Sequence, residues 1–437
     1  MNILYVSQYF PPEVCAPAIR VNEFTQAWAR CGHKVRVLTG FPNHPEGHVH
    51  PDYRRKWRQG FAREDHAGVE VLRTWLLPAA NRGVWGRAAN YSSFALSAIL
   101  TGPFIAQRRG VVIGTSPQLL VAAAGYVVAR SRALPFVFEV RDLWPQSIAA
   151  VGAAGPQSGF YRSLEHLANF LYRHADRIVL DGDAKRRQII AMGVSPHKTA
   201  VIRNGASEDF CFGPESAPAH AARERVRHEL GLDRKFIAMY VGTLGMAHGL
   251  ETVLQAAERL KARSDIAFVI IGEGAEREHL LKKKQELQLS NVLFLGKQPR
   301  KAIPAYLAAA DICLAPLRKR EMLAMAAGRP VILGVEGEAK EILMDAHAGI
   351  PVPPENPKAL ADAVLLLREK RDLRHQMGLR GRYAVLHKYS RPQQAAAYID
   401  LLDQLVPVPP GRLRRAFHWG LKIKSGNIPS VMTPKSS

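Results

Sequence analysis

The chain alternates short runs of consecutive apolar residues with longer stretches in which apolar residues recur every three or four positions. The first pattern suits strands buried on both faces, and the second suits helices laid against them. Ile3 to Val6, Lys34 to Thr39, Val69 to Trp75, Val111 to Ile113, Phe136 to Val140, Ile178 to Leu180 and Ala200 to Ile202 read as one group of strands. Phe236 to Val241, Phe268 to Ile271, Val292 to Leu295, Ile312 to Ala315 and Pro330 to Leu333 form a second group. Helical spacing follows through Ile19, Phe24, Ala27 and Trp28, through Leu250, Val253, Leu254 and Ala257, and again over Asn356 to Arg368 and Pro392 to Leu405. Strand and helix in alternation predict the α/β class, here as two facing Rossmann-like doubly wound domains. The expected organisation is a first domain over 1–212, a linker over 213–235, a second domain over 236–388, a helix over 389–406 that can cross back to the first domain, and a basic tail over 407–437.

Each domain opens on the same unit. In Phe236 to Leu260 a strand runs into Gly242-Thr243-Leu244-Gly245 and then a helix. Glycines there let backbone N–H groups approach an anion, and the helix N-terminus adds about half a positive charge. The plain alternative is an ordinary strand-to-helix turn. The first domain repeats the form with Ile3 to Val6, a loop over Ser7 to Ala16 and a helix ended by Gly32.

Charge narrows the partners. The net charge is +22, which points to nucleic acid, acidic lipid or a phosphorylated substrate. No recognition-helix pattern or aromatic-basic interleaving stands out, so nucleic acid is not expected and an anionic membrane surface is. Cys15, Cys31, Cys211 and Cys313 lie far apart without a CxxC pair, which argues for reduced thiols and against a zinc site. No metal or cofactor is expected. The start MNILYVSQYF lacks the features of a secretion signal, so a cytoplasmic protein is expected. Ala88 to Gln107 is free of charge, but its Asn90, serines and Pro103 make it a poor membrane span and a better buried or interfacial helix.

Two places in the first domain carry candidate chemistry. Gly40 to Gly68 is a long irregular stretch holding His44, His48, His50, Tyr53 and Trp57 beside Arg54, Arg55 and Lys56, and suits either a solvated surface loop or a lid over an acceptor. Phe136 to Val140 delivers Arg141-Asp142-Leu143-Trp144 beyond a strand's carboxyl end, where ligands of open α/β sheets bind. Arg141 and Asp142 could pair with each other there or contact a substrate.

These segments together resemble the retaining glycosyltransferases of family four, which have the GT-B fold, and within them the branch acting in bacterial exopolysaccharide and O-antigen assembly on a polyprenyl lipid. The resemblance rests on NILYVSQYFPPE with Arg20, FPNHPEGHVHPDY, GVEVLRTWLLPAANRG, FVFEVRDLWPQS, ADRIVL, IRNG, YVGTLGMAHGLETVLQAA, VIIGEG and GRPVILGVEGEAKEIL, spread over about residues 1 to 400. It implies transfer of a sugar, with retention, from a nucleotide-diphospho-sugar such as a UDP-sugar to a lipid-linked saccharide in lipopolysaccharide or related cell-surface polysaccharide synthesis, by a peripheral protein on the inner face of the cell membrane. It further implies donor contacts from Gly242, Thr243, Gly245, His248, Gly272, Glu273, Gly274 and Glu338. Glu13, Arg141 and Asp142 would stand at the reaction centre, and Arg20, His44, Tyr53 and Trp144 would face the acceptor.

The chain departs from that family in LAPLRKREMLAMAAGRP, which looks shortened by about ten residues after Glu321, with Leu323 where a second glutamate is expected. Two other readings therefore stay open: a donor-site-impaired, non-catalytic relative, and a GT-B sugar-nucleotide epimerase. Beyond Pro407 the tail has no acidic residue, and Leu413, Phe417 and Leu421 recur every fourth position among basic residues. That pattern suits an interfacial helix or a disordered basic tail.

Overall fold

The computed structural model describes residues 1–79, 84–144, 158–206, 210, 213, 216–245, 248–316 and 321–406. Eight strands form the first sheet: β1 (Asn2–Val6), β2 (Lys34–Gly40), β3 (Phe61–His66), β4 (Val69–Thr74), β5 (Gly110–Thr115), β6 (Phe136–Val140), β7 (Arg177–Leu180) and β8 (Thr199–Val201). Their spatial order is β3-β4-β2-β1-β5-β6-β7-β8. All neighbours run parallel except β3, which pairs antiparallel with β4 at the edge. The second sheet is wholly parallel, in the order β11-β10-β9-β12-β13-β14. Its strands are β9 (Phe236–Val241), β10 (Ile266–Ile271), β11 (Val292–Gly296), β12 (Ile312–Ala315), β13 (Val331–Leu333) and β14 (Gly349–Pro351). Two doubly wound α/β sheets are present.

Both faces of each sheet are covered, which is why the strands read as continuous apolar runs. Successive side chains point to opposite faces: Leu4 and Val6 enter one core, while Ile3 and Tyr5 enter the other. The edge strand β3 corrects the irregular reading of 40–68. Its turn is Ala67-Gly68, both with positive φ, and only Ala62 along it is buried, so an apolar period was absent from the sequence.

Two segments cross between the sheets. The stretch expected as linker contains a helix, Ala217–Glu229, capped by Ser216, whose side chain accepts from Ala219 N. The helix is fastened to the second domain by Arg223 and Arg227, each 2.6 Å from one oxygen of the Asp311 carboxylate. At the other end, helix Arg391–Asp403 lies on helix Ala16–Arg30 of the first domain. Trp28 Nε1 donates to Ala395 O at 3.0 Å, and the Trp28 ring meets Tyr398 edge-on at 5.2 Å.

Trp28 is 1% exposed and serves both helices. Trp28→Ala should therefore cost about 3–5 kcal/mol of folding free energy, read as a lowered midpoint in urea denaturation.

Candidate functional site

At the carboxyl ends of β9 and β10 two glycine loops meet backbone to backbone. Gly242 N donates to Ile271 O at 2.9 Å, Leu244 N to Glu273 O at 2.9 Å, and Glu276 N to Leu244 O at 3.0 Å. A Cβ at Gly272 would collide with Gly242 O, and one at Gly274 with Leu244 O. Gly272 and Gly274 are thus required by this close approach, and the Gly242 N–H is already used. Gly245 differs: its N–H has no partner among the described residues, and the nearest atoms to a Cβ there belong to the His248 imidazole, at 3.3 Å and beyond. His248 Nδ1 lies 3.2 Å from Gly245 O, Thr243 is exposed, and helix Leu250–Arg259 begins directly after Gly249. Glu273 is exposed and pairs with Arg277 at 3.3 Å.

In the first domain, β6 carries Glu139, which is 1% exposed. Arg20 Nε reaches Glu139 Oε1 at 2.5 Å, and Tyr5 donates to the other oxygen. The rest of the Arg20 guanidinium bonds to Ile202 O, Arg203 O and Asn204 Oδ1 at 3.0–3.1 Å. Expected to face an acceptor, Arg20 is instead a buried clamp with its donors spent. Glu13 is also engaged: its Oε1 accepts from Asn43 N and His44 N at 3.0 Å, and its Oε2 from Phe10 N at 3.4 Å. It ties the loop after β1 to the loop after β2. Burial pushes the Glu13 carboxyl up to about 7, with those N–H donors and Arg73 pulling against it.

Arg141 and Asp142 begin the loop after β6, held by the Ser116 hydroxyl, which accepts from Arg141 N at 2.8 Å and Asp142 N at 3.4 Å. Asp142 is exposed. Arg141 is half-buried, and its Nε and Nη1 are shut off from solvent without a hydrogen-bond partner among the described residues. Trp144 Nε1 shares that condition. Two orphaned donors on one guanidinium at a strand's carboxyl end suit an anionic or hydroxyl-rich ligand. His44 lies obliquely over Tyr9 at 5.0 Å, and burial lowers its pKa. With Tyr9, Asn43, Arg87, Asn90 and Tyr91 it lines a small polar recess. Tyr53 is placed otherwise: its ring packs in a cluster with Phe41, its hydroxyl sits 3.3 Å from both Glu64 oxygens, and the Arg73 guanidinium covers its face at 4.6 Å.

Glu338, expected at the donor, joins the two domains. Its Oε1 accepts from Asp183 N at 3.1 Å and lies 3.3 Å from Arg203 Nε. Gly182 is the residue that allows this, since a Cβ there would overlap the carboxylate. The carboxyl ends of β7 and β13 therefore meet through one glutamate. In the shortened segment Leu323 packs against the second core; positions 317–320 and the tail after Val406 lie outside the described residues, so the reading of that tail does too. Sequence reasoning missed Glu139, Arg203 and Asn90. A lone glutamate inside the apolar strand FVFEV was a usable signal, because a charge so buried needs a partner.

Among the described residues no three His, Cys, Asp or Glu side chains are placed to hold a metal ion, and no helix is long and apolar enough to cross a membrane. Residues 16–205 match the glycosyl transferase 4-like domain, and residues 222–383 match glycosyl transferases group 1. The chain belongs to the family-four glycosyltransferases of the GT-B fold and is a glycosyltransferase of polysaccharide or glycoconjugate synthesis. It is 29% identical over 331 residues to WcaI of Escherichia coli (strain K12), named for colanic acid biosynthesis, covering 73% of this chain and 77% of that one. D-inositol 3-phosphate glycosyltransferase of Corynebacterium jeikeium (strain K411) is 30% identical, over 61% of this chain and 69% of its own. In fold the chain is similar to Anabaena Alr3699/HepE, solved in complex with UDP, with TM-score 0.68 and 17% identity over 93% of this chain and 100% of that one.

The raised Glu13 pKa sets a pH dependence. The folded state holds this proton up to about 7, whereas the unfolded chain releases it near the ordinary 4.5. The unfolded state binds fewer protons between those values, so this group's contribution to stability falls as pH rises through that window and is level above it. Glu13→Gln should flatten the slope, seen in urea midpoints measured from pH 4.5 to 8.

Proposed function

We propose that the protein transfers a sugar, with retention, from a nucleotide-diphospho-sugar, a UDP-sugar first, to a lipid-linked saccharide at an anionic membrane surface. The observation that carries this reading is the Gly245 turn, whose backbone N–H has no partner among the described residues, where a Cβ would meet only the His248 imidazole, and which precedes helix Leu250–Arg259 in the chain. Such a turn suits a diphosphate. A UDP complex of the similar fold supports the choice of nucleotide.

Gly245, Thr243 and His248 are the donor-side residues of this reading. Gly242, Gly272 and Gly274 support it by shaping the loops. Arg141, with two orphaned donors, offsets negative charge growing on the leaving diphosphate or fixes the acceptor. Asp142 contacts hydroxyls beside it, and His44 and Trp144 line the acceptor side. Glu13 and Arg20 act by holding these loops in place. Glu338 alternates between its interdomain partners and a donor hydroxyl. The leaving phosphate takes the acceptor's proton, so no separate general base is needed.

The test is incubation with radiolabelled UDP- and GDP-sugars and polyprenyl-linked saccharide acceptor. Label should enter the lipid phase from a UDP-sugar with the anomeric configuration kept, and no transfer together with no nucleotide binding in calorimetry would end the reading.

Gly245→Val should weaken UDP binding about tenfold or more while leaving the urea midpoint nearly unchanged. Gly272→Ala, which strikes the Gly242 carbonyl, should instead lower that midpoint.

A further inference from the structure

Helix Val84–Ile105 turns one uncharged side away from the protein. Ala89, Ser92, Leu96, Leu100 and Phe104 are exposed at spacings of three or four, Leu96 at 60%, Leu100 at 63% and Phe104 at 89%. Its other side is the core face, through Phe94, Ala95 and Ala98. The helix packs on Leu119–Ser131, which exposes Val127. Three large apolar side chains so exposed on one helix ask for a covering partner.

Charge indicates which partner. From Val71 to Phe138 the chain has no Asp, Glu or Lys and seven arginines. Arg108 and Arg109 stand exposed just beyond Phe104, and Arg130 and Arg132 at the end of the neighbouring helix. Asp176 pairs with Arg130 at 2.9 Å, leaving an excess of positive charge around the stripe. An apolar stripe bordered by cations fits an anionic lipid surface, with side chains in the acyl boundary and guanidinium groups at headgroup phosphates. A second copy of this chain would bring the same cations against these.

We infer that Leu96, Leu100 and Phe104 dock this domain on an anionic bilayer. The inference rests on the membrane-borne acceptor proposed above and assigns its surface. The same helix lines the polar recess with Arg87, Asn90 and Tyr91. From Tyr91 to Phe104 is about 20 Å of helix at 1.5 Å per residue, so a saccharide standing off the headgroups can reach the recess while the stripe stays in lipid.

The experiment is co-sedimentation of the full chain with phosphatidylcholine vesicles containing about one-quarter phosphatidylglycerol, beside size-exclusion chromatography and UDP binding by calorimetry. Leu100→Asp with Phe104→Asp should lower the vesicle partition coefficient about tenfold or more. UDP affinity and transfer to acceptor dispersed in detergent should stay as in the unsubstituted protein, which separates failure of this surface from failure of the proposed reaction. Undiminished sedimentation of the folded variant would place the contact elsewhere, the basic tail included, and overturn the inference. So would an unsubstituted protein that ignores the vesicles, or a dimer that the substitutions turn into a monomer.

Discussion

The first domain depends on one charge buried in its sheet. Glu139 sits near the carboxyl end of β6 at 1% exposure, and Arg20 answers it from the first helix. Removing one partner of such a pair leaves the other charge without compensation, at a cost of about 3–5 kcal/mol. The remaining Arg20 donors then fix Ile202, Arg203 and Asn204, the segment that leads out of the first domain. Arg203 continues the chain of contacts to Asp183 and Glu338. Position in the sheet and orientation of the first helix are thereby set through the Arg20 guanidinium, and contact with the second domain through that of Arg203.

In the second domain the corresponding constraint is steric. The loops after β9 and β10 approach so closely that Gly272 and Gly274 leave no space for a side chain. This contact uses the Gly242 and Leu244 amides and leaves the Gly245 amide without a partner among the described residues. The turn thus keeps one open amide because its neighbours' amides are consumed by the close approach of the two loops.

Much of the fold was legible because both sheets are parallel, apart from the edge strand β3, and covered on both faces, so that nearly every strand is an apolar run. The exception was β3, an edge strand with one buried residue and no apolar period. Helix Ala217–Glu229 was read as linker because its apolar content is low; it docks through Arg223 and Arg227 on Asp311, and a charged contact of that kind leaves no hydrophobic period. Of the candidate site, Arg141 and Asp142 were picked out by strand-end position, a rule of topology, and they do stand just beyond β6. The positions of Arg20, Glu13 and Tyr53 misled, since a polar residue near a loop looks the same in sequence whether it faces a ligand or a backbone amide.

The sequence by itself determined the α/β class, the two strand groups, the glycine loops and the excess of positive charge, because each follows from local period, local backbone freedom or simple counting. Only the tertiary structure decided which polar groups remain unspent. Whether Arg20 or Arg141 keeps free donors, whether Gly242 or Gly245 keeps its amide, and whether Leu96, Leu100 and Phe104 face core or surroundings depend on partners distant along the chain. Hydrogen-bond satisfaction and burial belong to the packed whole.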